Sequence, residues 1–518
     1  MPIPTVPTTP SAAPQLHQTY ADAVGDLSVP WQADGAPRAE LTWLNEDLAL
    51  ELGYDPEWLR TPAGLALLTG RLDAEGRPLA ADNPAPTTPF TTAQVYAGHQ
   101  FGQPNPQLGD GRAVLLGDLI DTRGHRRDLH LKGAGRTPFA RAGDGKAPLG
   151  PMLREAVIGE SLHALGIPTT RALAVVSTGE LVRPRRGITP EPGAMLTRVA
   201  ASHLRVGTFE YAAWHLGPEV LRALADHAIE RHHPDARGAE SPYLELLRRV
   251  SHAQAQLVAQ WMLVGFVHGV MNTDNMTISG QGIDYGPCAF LDDHRARAVF
   301  SSIDHQGRYA YGNQPGIALW NLSRFAETLL PLISPEHPEA GIEAATEVLQ
   351  GYEPAYLEAW TRGMGVKLGI PLATGTGGAA QGDERLSAVR ALGEDLLALL
   401  ESHRTDHTRF FRALTEGTAG ALFTDPAAYE AWHRRRDELR GSGSAAQEAV
   451  AAMECANPVH IPRNIHLENA LRGAHLGDLA GVEAILEAVT HPYEARSELE
   501  HLEGPGEGGE SFLTYCGT

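Results

Sequence analysis

The stretch His268-Gly269-Val270-Met271-Asn272-Thr273-Asp274-Asn275, followed nine residues on by Asp284-Tyr285-Gly286, constrains this chain more than any other. Two loop carboxylates and an amide beside a short expected strand, Ile283 into Asp284, make a hard-oxygen site suited to a divalent cation. A loop of this kind has to be delivered by a buried element. Val250, Ala253, Leu257, Trp261 and Val264 recur three or four residues apart, as on the buried face of a helix that ends just before His268. Taken singly, each loop aspartate reads as a solvated residue and His268 as a hydrogen-bonded structural histidine; the joint order of Asp274, Asn275 and Asp284 carries the inference.

The upstream chain supplies what such a loop would face. Arg127-Asp128-Leu129-His130-Leu131-Lys132 alternates as a strand does, with Lys132 at its end. Glu155 follows twenty-three residues later in Pro151–Ile158, which reads as a helix with Pro near its start. A strand lysine steered by a helix glutamate is how kinases aim an ammonium at nucleotide phosphates. In the kinase loop His-Arg-Asp-x-x-x-x-Asn the Asn stands seven residues after the His. Asn275 keeps that spacing from His268, but Val270 stands where the kinase base would, and the free carboxylate of the loop is Asp274. Phosphate chemistry with altered geometry is the expectation.

Glycine and charge point to the same segment. Gly98-His99-Gln100-Phe101-Gly102 and Gln107-Leu108-Gly109-Asp110-Gly111-Arg112 precede the apolar run Ala113–Leu116, and glycine turns before a strand let backbone N–H groups approach an anion. Gly133 to Lys146 is a partly basic loop placed to close over a triphosphate. Arg198 and Arg205, near the end of a strand expected at 194–199, can clamp phosphate through paired N–H donors or form surface ion pairs. Net charge is -21, yet residues 101–210 carry fifteen Lys and Arg against ten Asp and Glu. The overall balance argues against nucleic acid or an anionic membrane as partner, while the basic segment suits an anionic ligand. Only Lys132, Lys146 and Lys367 are lysines, which fits a GC-rich genome that uses Arg wherever Arg will serve.

Further expectations follow from reading along the chain. Residues 1 to about 30 look like an extended arm draped over the body, Trp43–Gly53 like a short helix closed by glycine, and Pro84–Pro89 like a boundary. A strand is expected at 172–177, helix after Gly207, amphipathic helix from about 309 to 490 including Leu386–Leu400, and a flexible Gly- and Glu-rich tail at 503–510. The Pro- and Thr-rich N-terminus has no signal-peptide pattern, three cysteines are too few for a disulfide scaffold, and no apolar run approaches the ~20 residues of a membrane span. A soluble cytoplasmic protein is expected.

With these motifs in view, the chain from about Trp43 to Cys516 resembles the selenoprotein O family, kinase-like proteins whose members are protein adenylyltransferases. The most specific strings are Gly98–Gly102, Gln107–Arg112, His130–Gly135, Gly166–Leu173 and His268–Asn275. The resemblance implies an α+β, protein-kinase-like two-lobed fold: an N-terminal extension at 1–90, a nucleotide-binding lobe at 91–206, a helical lobe with the catalytic loop at 207–500 and a tail at 501–518. It implies that Gly109, Gly111 and Arg112 line the nucleotide, that Lys132 oriented by Glu155 binds its phosphates, and that Asp144 and Gly145 complete the loop. Arg198 and Arg205 would hold the far end of the triphosphate, Asn275 and Asp284 would ligate Mg²⁺ or Mn²⁺, and Asp274 would accept the proton. ATP in this family lies flipped relative to a kinase, so that AMP is transferred and pyrophosphate leaves.

Departures from the family pattern occur at Pro104, where an aromatic is usual nearby, and at Ala140, where Ser is common. Cys516 matches the family's terminal Cys or selenocysteine, but the segment Val299–Ile303 lacks the cysteine that pairs with it in some members; Cys288 is the candidate substitute. The reading that results is Mg²⁺-dependent transfer of AMP from ATP to Ser, Thr or Tyr hydroxyls of proteins by a monomer. A kinase passing on the γ-phosphate and a silent nucleotide-binding pseudokinase scaffold are the alternatives.

Overall fold

The structure, a computed structural model, describes residues 13–80, 82–141, 143–183, 189–372, 379–508 and 512–514. The strands are β1 Ser28–Pro30, β2 Glu40–Leu44, β3 Thr92–Gln94, β4 Gly98–Gln100, β5 Gln103–Asn105, β6 Ala113–Ile120, β7 Arg126–Lys132, β8 Ala147–Pro148, β9 Arg171–Val182, β10 Glu191–Ala200, β11 Phe266–Val267 and β12 Ala289–Phe290. One antiparallel sheet runs β1-β3-β6-β7-β10-β9-β2, with β8 added to β10. β4 pairs only with β5, and β11 only with β12. The whole is mixed α+β.

Alternation along the strands gives the sheet two apolar faces. Val114, Leu116, Leu129, Leu131, Val176 and Met195 pack beneath Leu48, Leu52, Leu59, Leu67 and Leu68 from the N-terminal helices. The residues between them, Leu115, Val175 and Leu196, face the opposite way, against Leu153 and Val157 of the helix Leu149–Ala164. Each such Leu or Val contributes roughly 1.5–3 kcal/mol by leaving water. His130 and Lys132 alternate with Leu129 and Leu131, so they too project to the helix Leu149–Ala164 side.

C-terminal to Ala200 the chain is helical. The central helix Pro242–Val264 packs against Gln314–Ile333 and Tyr352–Lys367, and Gly265, at φ +73°, ends it. The chain then enters β11, whose partner β12 closes the base of the intervening segment, so that His268 through Asp284 project as a clipped loop. Among the described residues no helix is long and apolar enough to cross a membrane.

Several expectations need correction. Trp43 and Leu44 belong to β2, paired with Val175 and Ala174 of β9, and the helix is shortened to Glu46–Glu51, where the Asn45 side chain accepts from Leu48 N at 3.0 Å. Sheet-edge pairing outweighs the leucine spacing there. The N-terminal arm, described from residue 13, does drape over the body, but it is not extended throughout: Thr19–Ala23 is helical, while His17 pairs with Asp118, β1 pairs with β3, and Leu16, Tyr20 and Leu27 are buried. No strand forms at Ile283–Asp284; Gly282 makes a single bridge with Thr169, and Asp284 turns out at φ +62°. Beyond the Gly- and Glu-rich segment 503–510, whose last residues lie outside the described ones, Thr514 N donates to Phe300 O at 2.7 Å and Ser302 N to Thr514 O at 3.0 Å. Cys516 lies outside the described residues, and Cys288 is buried, its Sγ 3.5 Å from Tyr285 O.

Candidate active site

Pairing of β7 with β10 sets Lys132 opposite Leu196 and His130 opposite Arg198, so the lysine and the arginine are close neighbours on one face of the sheet. The helix Leu149–Ala164 crosses that face and brings Glu155 to both: Oε2 lies 2.5 Å from Lys132 Nζ, and Oε1 accepts from Arg198 Nη1 at 3.0 Å. From the clipped loop comes Asp284. Its Oδ1 accepts from Lys132 Nζ at 2.9 Å and from Arg198 Nη1 at 2.7 Å, and its Oδ2 from Arg205 Nη1 at 2.9 Å. Arg205 precedes the helix Val206–Tyr211, lies 4.6 Å from the Tyr96 ring centroid, and also donates to the Asp274 carbonyl at 2.8 Å. Its Nε is buried without a partner.

Two carboxylates and three cations thus form one cluster. Burial pushes the Asp284 carboxyl up, but Lys132, Arg198 and Arg205 outweigh it and hold the group well below the usual range. Glu155 is lowered in the same way, burial again being overcome by Lys132 and Arg198. Both are therefore anionic at neutral pH.

Asp274 is treated differently. It is buried, Gln100 Nε2 donates to its Oδ2 at 3.1 Å, and its Oδ1 has no hydrogen-bond partner. Burial raises its pKa to about 6, with the Gln100 bond and Arg205 opposing the rise. A Cβ on Gly98 would come within 2.9 Å of Oδ1, so glycine is what lets β4 lie against this carboxylate. The neighbouring Asn275 is anchored by Nδ2 donating to Val270 O at 3.0 Å. His268, as the sequence suggests, is structural: it is fully buried, with Nε2 2.8 Å from Ile283 O.

Gly109, Gly111, Arg112, Asp144 and Gly145 complete the same cleft, whose volume is about 1020 Å³, large enough for a nucleotide. Gly109 has φ +136° and Gly145 φ +75°, and a Cβ on Gly145 would meet Gly135 O at 2.1 Å, so the loop can close only with glycine there. Lys132, Glu155, Arg198, Arg205, Asp274, Asn275 and Asp284 all line this one cavity.

Sequence reasoning missed the buried scaffold behind Arg198. Asp110 Oδ2 lies 2.9 Å from His130 Nε2, and His130 Nδ1 accepts from Arg198 Nη2 at 3.3 Å. His203 Nδ1 lies 3.3 Å from Asp128 Oδ2, while its Nε2 accepts from Arg198 Nε at 3.3 Å. The two rings stack 4.3 Å apart. Burial, aided by Arg198, lowers both histidines, so both are neutral acceptors toward the guanidinium. Period-2 spacing from Lys132 could have flagged His130; nothing local flags His203.

Among the described residues there is no cluster of three or more His, Cys, Asp or Glu that could hold a metal. The donor set nonetheless fits Mg²⁺, which takes one or two carboxylates and completes its shell with water and phosphate oxygens. Asp284, held ionised by its three cations, and the anchored Asn275 are donors of that kind.

A family model described as "Protein adenylyltransferase SelO" matches residues 13–484. Among curated relatives, "Protein nucleotidyltransferase YdiU" of Pseudarthrobacter chlorophenolicus is 51% identical over 510 residues, covering 97% of this chain and 98% of the relative. Proteins with the same description from Mycolicibacterium smegmatis and Cereibacter sphaeroides are 50% and 49% identical, covering 98% and 97% of this chain and 99% of each relative.

Proposed function

This chain belongs to the SelO protein adenylyltransferase family, and from that premise we propose that its cleft binds ATP with the α-phosphorus toward Asp274 and transfers AMP to Ser, Thr or Tyr hydroxyls of proteins. The observation that carries the reading is the unpartnered Oδ1 of Asp274, buried in the same cleft as the Lys132, Arg198 and Arg205 cations. On this account the two lobes of a kinase-like fold are the sheet-bearing part from 91 to 206 and the helical part from 207 to 500, with 1–90 as an extension.

The acceptor hydroxyl gives its proton to Asp274 Oδ1 as its oxygen bonds the α-phosphorus; the bond from that phosphorus to the bridging oxygen breaks, and pyrophosphate leaves. A carboxyl raised to about 6 is ionised at neutral pH yet more basic than an ordinary aspartate, which suits a general base. Gln100 fixes the oxygen that does not take the proton. Lys132, aimed by Glu155, and the arginines Arg198 and Arg205 offset the charge gathering on pyrophosphate. Gly109, Gly111, Arg112, Asp144 and Gly145 hold the nucleotide from the sheet side. Asp284 and Asn275 would hold Mg²⁺ or Mn²⁺, which when bound neutralises phosphate oxygens.

Val270 at the place of a kinase base favours this over γ-phosphoryl transfer. Incubation with ATP labelled at the α or the γ position tests it. The α label is expected to remain on protein. Retention of the γ label would mean a kinase, and retention of neither, with ATP bound, a silent scaffold.

A further inference from the structure

The β4–β5 hairpin borders the cleft beside Asp274, with Gln100 and Phe101 among the residues that line it. Gln100, which bonds Asp274, is followed by Phe101 and Gly102, and Phe101 N donates to Asn272 Oδ1 at 3.1 Å. Gly102 is at φ +79°, and a Cβ there would meet the Arg308 guanidinium at 3.3 Å, so that group lies flat on the hairpin turn. The turn from Gln100 to Gly102 is tighter than the ~7 Å that two residues span when extended, so Arg308 lies against the same short turn that bonds the base.

Arg308 is held in place. Its Cζ is 4.8 Å from the Trp320 ring centroid and 5.7 Å from that of Tyr309, whose hydroxyl bonds Asn272 Oδ1 at 2.6 Å. Its Nε is buried without a partner, and although Asp304 Oδ1 accepts from its backbone N at 2.9 Å, no carboxylate among the described residues pairs with its guanidinium. The acidic groups nearby are committed elsewhere: Glu210 to His99 and Thr273, and Glu327 to Arg324 at 2.6 Å. On the cleft side of the same turn, exposed Arg141 donates to the neutral Gln100 Oε1 at 2.9 Å. In a chain of net charge -21, these two arginines, neither paired with a carboxylate among the described residues, both contact the hairpin segment Gln100–Gly102 that bonds Asp274.

We propose that this surface docks the acceptor segment and selects for an acidic residue close to the hydroxyl that is modified, with Arg308 as its main anchor and Arg141 as the second cation. A held guanidinium can take a carboxylate through two N–H donors, and its ring contacts spare it the ordering cost of a free surface arginine. The inference rests on AMP transfer to protein hydroxyls.

The test uses α-labelled ATP and synthetic peptides carrying one Ser, Thr or Tyr flanked by Asp and Glu, by Ala, or by Lys. Acidic peptides are expected to be labelled best. Arg308→Gln should raise their KM about tenfold, the size of one charge-assisted contact, with ATP affinity and kcat unchanged, and Arg308→Glu should shift preference toward Lys-flanked peptides. Should Arg308→Gln not fold, added salt must raise KM for acidic peptides on the wild-type protein and leave it for Ala-flanked ones. Equal labelling of the three sets, or α label retained on the enzyme itself while every peptide stays unlabelled, overturns the docking surface and leaves AMP transfer standing. Loss of α label from all protein overturns the underlying reading with it.

Discussion

A single nitrogen, Nη1 of Arg205, donates to Asp284 Oδ2 at 2.9 Å and to the Asp274 backbone carbonyl at 2.8 Å. The two aspartates are thereby fixed relative to one another, yet their carboxyls shift in opposite directions. Three cations hold Asp284 ionised, while burial raises Asp274 toward neutrality. One fold region thus supplies a permanent anion and a proton acceptor, and the predictions below depend on that division.

Asp274→Asn keeps the shape of the side chain and removes the basic oxygen. AMP transfer is expected to slow by about 10² to 10⁴, with ATP affinity preserved, because the cations of the cleft are untouched. Calorimetric titration with ATP beside a single-turnover rate separates the two effects. Weakened ATP binding with an unchanged rate would reassign Asp274.

The pH profile follows from the same group. Asp274 accepts a proton only when ionised, and its pKa is raised to about 6, so the single-turnover rate should climb as pH rises through 6 and level off above it. Below that point the carboxyl is protonated and the rate falls. Asp274→Asn should lack this limb, and a wild-type rate that is flat across the range contradicts the assignment.

Asp284 is the shared acceptor of Lys132, Arg198 and Arg205. Asp284→Asn and Asp284→Ala should both abolish metal-dependent transfer. Ala should also lower thermal stability more than Asn does, since φ +62° suits Asn better than Ala. Removing the carboxylate leaves buried cations uncompensated, a loss of about 3–5 kcal/mol when a buried pair is broken. A denaturant titration of both variants measures it.

Arg198 depends on neutral imidazoles. His203→Leu removes the acceptor for Nε, whereas His203→Gln can present an amide oxygen where the ring Nε2 stood. The Leu variant should raise KM for ATP several-fold at a temperature where it is fully folded, and should melt lower because the buried Arg198 Nε loses its acceptor, while the Gln variant should restore KM. Equal behaviour of the two would make His203 mere packing.

Much of this site was legible because its chemistry is carried by side chains on regular elements. Alternation in 127–132 gave β7 and the direction of Lys132, and the spacing from Val250 to Val264 gave the helix behind the loop. Motif order linked Lys132, Glu155, Asp274 and Asp284 across 152 residues. What escaped depends on strand register. The pairing of β7 with β10 puts His130 opposite Arg198, and the stacked His203 arrives only after the turn beyond Ala200. The misread strand at Ile283 has a similar cause: an apolar residue before an aspartate looks extended, while the backbone turns left-handed at Asp284, whose carbonyl accepts from Gly286 N at 2.9 Å. Trp43 and Leu44 were misread because the edge of β9, distant in sequence, claims them.

The central claim is that the α-phosphorus, and not the γ, faces Asp274. A crystal structure of the protein with Mg²⁺ and an ATP analogue carrying a methylene between the α and β phosphates tests it most directly. The account expects the α-phosphorus to be the phosphorus nearest Asp274 Oδ1, with the β and γ groups directed toward Lys132, Arg198 and Arg205. A γ-phosphorus nearest Asp274, with the α-phosphorus among those cations, would contradict it.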